Sequence, residues 1–431
     1  MNSVMIHLFN RNASYFIVFS LCMCIYAFSS EAQQLKPDAK KTITLQKGFS
    51  AITVAAKTGR ARHIAVDANG TIYVKLNALN EGKGILILKD TSGDGIADRT
   101  ASYGNYTGTG IALYKNYLYA SSDSAVFRYP LTKDGIDESK IETIVEGLPY
   151  NPQHGSKNIV IDEKGMLYVN IGAPSNACQE EDRTKGSKGM DPCPLLENYG
   201  GIWQFDANKL NQKQADGIRY ATGLRNCVAM DWDVTTHHLY ALPHGRDQLN
   251  TLYPEYYTTE QNAELPSEEL FQITQGTAYG WPFCYFDHLQ NKKLLSPEYG
   301  GDGKITGRCD DMPKPLIAFP GHWAPNDLFF YHGNMFPEKY KNGVFIAFHG
   351  SWNRAPLKQG GYFVAFVPFK DGKPSGTWEV FAEDFAGGKE IMSPSDAKHR
   401  PMGISEGPDG SLYISDSVQG TIYRIIYSAP K

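Results

Sequence analysis

The sequence predicts an all-β protein, a six-bladed β-propeller with long inter-strand loops that occupies residues 33–431 as one domain. Three observations lead there. One strand–turn–strand phrase recurs six times along the chain. Aromatic residues make up 12 %, beside 42 Gly and 24 Pro, the mix of rings and turn formers that many short strands need. Sustained helical periodicity is absent, which argues against an α/β fold.

The chain begins with a segment unlike the rest. Arg11 precedes the apolar run Tyr15 to Phe28, and Ser30-Glu-Ala32 places small residues before Gln33. That order describes a secretory signal cleaved near Ala32, so the mature protein is expected in the periplasm or outside the cell. The run falls short of the ~20 residues that span a bilayer, and no later segment reads as transmembrane, so no stable membrane insertion is expected. The net charge of -4 disfavours a nucleic-acid partner.

The repeated phrase is an apolar strand, a turn of Asp, Asn or Gly, then a strand with Tyr or Phe near its start. Its clearest copies are His63 to Val74, Asn158 to Val169 and Met402 to Ile414. Weaker copies are Ile111 to Tyr119, Val228 to Tyr240, and Asp327 to Tyr331 with Gly343 to Ala347. Six copies over roughly 390 residues give about 65 each, against the ~40–50 of a four-stranded blade, so the excess sits in loops. The largest insertions fall near 174–220 and 245–325. The last strand, Gly420 to Ile426, is expected to pair with Lys41 to Leu45 and close the ring.

In a propeller the strand opening each repeat lies nearest the axis, so the residues just before it converge on one mouth of the channel. Those residues are Arg62 and His63, Gly108 and Thr109, His154 to Lys157, Arg225 and Asn226, Pro325 and Asn326, and Arg400. Cations and a His at one mouth describe an anion-binding pocket.

Five cysteines remain after the signal. Cys178–Cys193 and Cys284–Cys309 would each close a loop rich in Gly, Pro and charge, leaving Cys227 free, although the connectivity itself stays open. The spacings match no zinc signature, and no Cys-x-x-Cys-His is present for a covalent haem. Asp90 to Asp98 has the oxygen spacing of a calcium-loop opening, but Ala101 stands where an EF-hand needs Glu, and an acidic hairpin is the plainer reading. Glu180 to Lys188 reads as a solvated mixed-charge loop.

Four phrases together resemble the soluble pyrroloquinoline quinone (PQQ) glucose and sorbosone dehydrogenase family. They are Gln153-His154-Gly-Ser-Lys157-Asn158-Ile, Tyr220-Ala-Thr-Gly-Leu-Arg225-Asn226, Glu269 to Tyr279-Gly-Trp-Pro282, and Arg400 before a Gly-Pro-Asp-Gly turn. The resemblance spans roughly residues 45–427. His349-Gly-Ser-Trp-Asn-Arg354 and the Cys178 loop look closer to the sorbosone branch.

The resemblance implies oxidation of the C1 hydroxyl of an aldose, or of a hydrated aldehyde, with reduction of PQQ. His154 would be the base, a role that suits a neutral imidazole. Arg225 would stabilise charge on the quinone oxygens. Asn226, Arg354 and Arg400 would hold the cofactor, with Gln153 and Lys157 of the base segment beside it. Gly245 and Arg246, in Pro243-His-Gly-Arg-Asp247, would carry a catalytic Ca²⁺, and Glu269 and Tyr279 a structural one. Electrons would leave to a separate cytochrome or quinone.

Departures from the family are Arg62-His63 in place of an early Gln, an altered calcium turn, and an insertion over Asn250 to Pro266 that could narrow the pocket. Two other readings compete: a calcium-dependent propeller lactonase, which needs several carboxylates at the mouth, and a non-catalytic sugar-binding propeller.

Overall fold

The computed structural model describes residues 43–388 and 390–429, so the predicted signal lies outside the described residues. Six sheets form the blades, antiparallel except where the short strand Thr277–Ala278 adds parallel to the outer edge of the third, and all six copies of the sequence phrase supply the first two strands of a blade. The innermost strands are Ala61–Val66, Ile111–Tyr114, Ile159–Ile161, Ala229–Asp233, Pro325–Phe330 and Pro401–Glu406. Each touches the innermost strand of the next blade, and the last touches the first, so the ring closes.

The phrase has a local physical cause. In blade 1 the Asp67 carboxylate accepts from the N–H groups of Asn69 (2.8 Å) and Thr71 (2.9 Å), and Gly70 turns the chain at φ 78°. The Tyr73 hydroxyl, from the second strand, donates to the same carboxylate at 3.2 Å. Blade 3 repeats this with Asp162, Gly165 and Tyr168.

The core is six seams between neighbouring blades. One joins Tyr73 and Ile85 of blade 1 to Leu118 and Tyr129 of blade 2, and another joins Leu328 and Phe330 of blade 5 to Tyr240 and Phe319 of blade 4. A strand at each inner position feeds two seams, and this accounts for the apolar character of every repeat on both faces.

Ring closure differs from expectation in its partner. The last strand, Ile422–Tyr427, pairs with Phe49–Ala55, while Thr44–Leu45 adds to the outer edge of blade 5 beside Glu379–Glu383. Phe49–Ala55 is seven residues long and buries Ile52 and Val54, and its Phe49 ring packs on Phe336, Tyr340 and Phe381. The two residues of the earlier strand offer no such face.

Both disulfides, Cys178–Cys193 and Cys284–Cys309, are present and Cys227 is free and buried. The insertion after Asn250 forms two short helices, Leu249–Leu252 and Thr259–Glu264, which pack with Tyr285 and Leu294 of the second disulfide hairpin. At Asp90 to Asp98 the carboxylates bond within the turn: Asp90 accepts from Gly93 and Gly95, and Asp98 from Thr91. Among the described residues no helix is long and apolar enough to cross a membrane.

Candidate active site at one mouth of the channel

Two adjoining cavities open at the mouth that the repeat phase points to. One, of about 330 Å³, is lined by His154, Gln153, Asn226, His244, Asn326 and Asp123 among others. The second, of about 400 Å³, is lined by Arg400, His349, Ser395 and Ser417. Arg62 and Asn77 line both.

The strands dictate this gathering twice over. Each innermost strand starts at the mouth, which brings Arg62, Gly108, Asn226, Asn326 and Arg400 there. The second strand runs antiparallel and returns to the same mouth. Residues at or just past its end form a second ring: Asn77, Asp123, Ala173, His244, His349 and Ser417. Farther down the channel the strand bodies line another cavity, with Asp231 and Asp327, and His63 belongs to that one rather than to the mouth.

His154 is the best-defined group. Its Nδ1 lies 2.5 Å from the Ala173 carbonyl oxygen. A carbonyl can only accept, so Nδ1 carries the proton and Nε2 keeps its lone pair. Two backbone and side-chain features fix the loop: Asn151 Oδ1 accepts from the N–H groups of Gln153 (3.1 Å) and His154 (3.0 Å). Gly172 makes room, because a Cβ there would stand 2.6 Å from the His154 Cβ and 2.7 Å from Asn226 Oδ1. Burial, reinforced by the Arg225 charge, pushes the imidazole down to about 3, so the side chain is neutral across the ordinary pH range.

His244, three residues beyond the end of its strand's last buried Ala, is oriented by the same logic. Its Nε2 donates to the Pro325 carbonyl at 2.9 Å, and burial lowers it to about 4. His349 bonds Ser417 Oγ at 2.8 Å and is pushed far down by burial together with Arg400 and Arg62. Tyr150, 61 % exposed, lines the first cavity with its ring against Gly155.

Several predicted residues stand behind this surface. Arg225 is buried: it donates to the Gly245 carbonyl (2.6 Å), to Asp247 (3.0 Å) and to Asn176 (3.3 Å), and its Nε has no partner. Burial acts to raise Asp247, but Arg225, His322 and Arg183 hold it far below the usual carboxylate range. Lys157 is fully buried, donates to the Gly155 carbonyl at 2.6 Å, and is lowered to about 8 by burial. Arg354 is not brought to either cavity. Its guanidinium is held by Glu264 (2.7 Å) and by the carbonyls of Ala263 and Gly321.

The predicted metal positions divide. Gly245 and Arg246 offer backbone oxygens only, and the Arg246 side chain is clamped on both oxygens of Glu298 (2.6 and 2.5 Å). Glu269 and Tyr279 do not fit a structural metal. The Lys293 ammonium lies between them, donating to Glu269 (2.8 Å) and to the carbonyls of Tyr279 (2.6 Å) and Pro313 (3.1 Å). A built-in cation holds the place where a bound one was expected. Among the described residues no cluster of three or more His, Cys, Asp or Glu is arranged for a metal ion.

The charged run after Glu180 is also more than solvated surface. Asp182 accepts from Gln153 at 3.1 Å, and Arg183 pairs with Asp247 at 2.7 Å, tying the first disulfide loop to the His154 segment and, through Asp247, to Arg225.

Comparisons with known proteins agree with the propeller fold. A protein of Borreliella burgdorferi described as uncharacterized is 26 % identical over 333 residues, covering 74 % of this chain and 75 % of its own. The PQQ-dependent pyranose dehydrogenase of Coprinopsis cinerea is 22 % identical, covering 90 % of this chain, which in turn spans 55 % of that enzyme. Among solved structures, the holo PQQ domain of the Coprinopsis enzyme superposes with TM-score 0.72 at 19 % identity, over 90 % of this chain and 98 % of that one. The calcium structure of the Trichoderma reesei family AA12 enzyme gives 0.73 at 19 %, over 91 % and 99 %. The PQQ-bound aldose sugar dehydrogenase of Streptomyces coelicolor gives 0.55 at 16 %, over 89 % and 100 %. These likenesses show a shared fold. The family pattern itself matches residues 43–428, the whole of the propeller, and the chain therefore belongs to the TrAA12-like family.

Proposed function

We propose that the protein is a PQQ-dependent dehydrogenase that oxidises the C1 hydroxyl of an aldose, or a hydrated aldehyde, with His154 as the base. The observation that carries this is the His154 geometry: a neutral imidazole, its tautomer fixed by Ala173, sits in a cavity that Arg62 also lines, next to a second cavity lined by Arg62 and Arg400. The names of the Coprinopsis and Streptomyces relatives support the same class. A lactonase is less well supported, because among the described residues Asp123 is the sole carboxylate lining either cavity.

The residues present fit an anionic, flat quinone. The two cavities fall in the size range of small-molecule sites, Asn226 and Asn326 offer amides, and Arg400 offers a guanidinium that lines the second cavity. When bound, the quinone supplies the acceptor for hydride. His154 takes the hydroxyl proton on Nε2, and the Ala173 carbonyl stabilises the imidazolium through Nδ1–H. Arg225 contributes its charge from behind the surface, through a network held by Asp247. Calcium would accompany the quinone near Gly245 and Arg246. The backbone oxygens of these two residues would hold it, and when bound it would act as a Lewis acid on the quinone; the Gly245 oxygen already accepts from Arg225.

We further assign residues 1–32 as a cleaved export signal, which agrees with the two disulfides, and a separate cytochrome or quinone as the electron acceptor. The test is reconstitution. Purified protein is given PQQ, Ca²⁺, both or neither, and dye reduction is followed with a panel of aldoses and aldehydes. Activity is expected only with both, and His154→Ala is expected to lower turnover by about 10²–10⁴. Failure to bind PQQ, or no dye reduction with any substrate, refutes the class. An unimpaired His154→Ala refutes the base alone.

A further inference from the structure

We propose that Asp123 and Tyr150 determine sugar specificity: the Asp123 carboxylate accepts from aldose hydroxyls that do not react, and the Tyr150 ring packs on the C–H face of the sugar ring. The inference rests on the aldose reading above.

Both residues line the cavity of about 330 Å³ that holds His154. They come from separate segments that a backbone bond joins. Asp123 stands in the tight turn between the strands Tyr117–Ser121 and Val126–Thr132. There the Ser122 N–H donates to the Ala125 carbonyl at 2.8 Å, and the Ser124 N–H to Ser122 Oγ at 3.2 Å. The Leu148 N–H donates to the Ser124 carbonyl at 2.9 Å, which sets the approach to Tyr150 beside that turn. Tyr150 in turn precedes Asn151, whose side chain fixes the His154 loop. The backbone thus holds imidazole, carboxylate and ring at one cavity.

Asp123 has its acceptor capacity unspent. Asp67 and Asp162 use their carboxylates to cap their own turns. Ser122 and Ser124 hold the Asp123 turn instead, and among the described residues Asp123 makes no hydrogen bond and no ion pair. Its charge does act through space, opposing the effect of burial on Arg62, Lys75 and Lys157. The donors of those cations are placed elsewhere: Arg62 Nε on Thr109, Lys75 on the Gly84 and Tyr106 carbonyls, and Lys157 on the Gly155 carbonyl. A carboxylate accepts at about four lone-pair sites, so it can take two neighbouring sugar hydroxyls in charge-assisted bonds.

Tyr150 supplies the apolar half. Its exposed ring sits on Gly155, where an added Cβ would lie 3.1 Å from the ring Cε2. A pyranose carries hydroxyls on its rim and C–H groups on its faces, so a flat, rigid ring beside a free acceptor matches both.

The experiment compares wild type, Asp123→Ala, Tyr150→Ala and Tyr150→Phe, each checked for unchanged melting temperature and PQQ affinity; Asp123→Asn replaces the alanine variant if that one melts lower. Rates are measured for the aldose that wild type oxidises fastest and for its 2-, 3- and 4-deoxy forms. At one ring position or more, loss of the hydroxyl should lower kcat/KM about tenfold or more in wild type, and far less in Asp123→Ala, where the partner is already gone. Tyr150→Ala should raise KM about tenfold with a smaller change in kcat, while Tyr150→Phe stays near wild type. Equal deoxy penalties in wild type and Asp123→Ala at every position overturn the proposal and leave the dehydrogenase standing, as does an unchanged KM in Tyr150→Ala. If wild type oxidises no aldose, the function above fails, and saturation-transfer NMR of D-glucose on the cofactor-free protein decides the subsite alone. A signal that Asp123→Ala abolishes then supports it; equal signals, or none from wild type, overturn it.

Discussion

Replacing Lys293 by Met is the sharpest test of how this fold balances buried charge. The side chains of Lys293 and Glu269 are 2 % and 13 % exposed, and the ammonium is shared with the carbonyls of Tyr279 and Pro313. Met keeps the bulk but leaves one buried carboxylate and two carbonyls without their donor. Removing one partner of a buried pair costs about 3–5 kcal/mol. At about 2.1 cal/mol/K per residue, unfolding some 390 residues carries an entropy near 0.8 kcal/mol/K, so the melting temperature should fall by about 4–6 °C. Burial already raises Glu269, with Lys293 opposing that rise. Without the ammonium the carboxyl takes up a proton more readily, and the deficit of Lys293→Met should therefore shrink as pH falls. Replacing both partners, Lys293→Met with Glu269→Leu, should recover part of the loss, because no buried charge is stranded. Calorimetry of wild type, Lys293→Met, Glu269→Leu and the double variant at pH 7.5 and 5.5 decides it. A Lys293→Met variant within 1 °C of wild type, or a double variant worse than the sum of the singles, would refute the reasoning.

Three further outcomes are expected. Gly172→Ala, whose Cβ collides with His154 and Asn226, should lower kcat at least tenfold in the reconstituted enzyme while the melting temperature changes by only a few degrees; unchanged kcat would mean the loop yields freely. Since the folded-state pKa of His154 is about 3, below its ordinary 6.5, its neutral form stabilises the fold above pH 6.5 and that contribution is lost as pH falls. His154→Gln should accordingly gain on wild type in chemical denaturation below pH 6.5, by at most ~1.4 kcal/mol per pH unit, and the acid limb of kcat/KM due to His154 should lie below pH 5. Reducing the first disulfide by Cys178→Ser with Cys193→Ser should cost about 3 kcal/mol and raise KM for the sugar, since Asp182 and Arg183 brace Gln153 and Asp247 from that loop.

The propeller was readable from the chain because each blade announces itself locally. In blades 1 and 3 an Asp that caps its own turn, a Gly at positive φ and a Tyr that closes on the Asp lie within twelve residues, and looser copies of the strand–turn–strand phrase open the other four blades. The phase of that repeat also placed Arg62, His154, Asn226 and Arg400 at one mouth, since a strand's starting end is fixed by where its phrase starts. Half of the site escaped for want of the complementary rule. His244, His349, Asp123 and Asn77 follow the second strands, and antiparallel pairing returns those ends to the same mouth. His244 and His349 stood inside the quoted phrases and needed only that step.

Sequence alone thus determined the blades and pointed to the two local disulfides that the structure contains, both of which depend on contacts within or between adjacent segments. Tertiary structure decided how charge is distributed. Whether an arginine faces a cavity or a carboxylate depends on residues 20 to 90 positions away, as with Arg225 and Asp247 or Arg354 and Glu264. The same holds for Lys293, which reaches Glu269 across a hairpin and takes the place of an expected metal. Desolvation and Coulomb energies act through space, without regard to order in the chain, and only the folded coordinates bring their partners together.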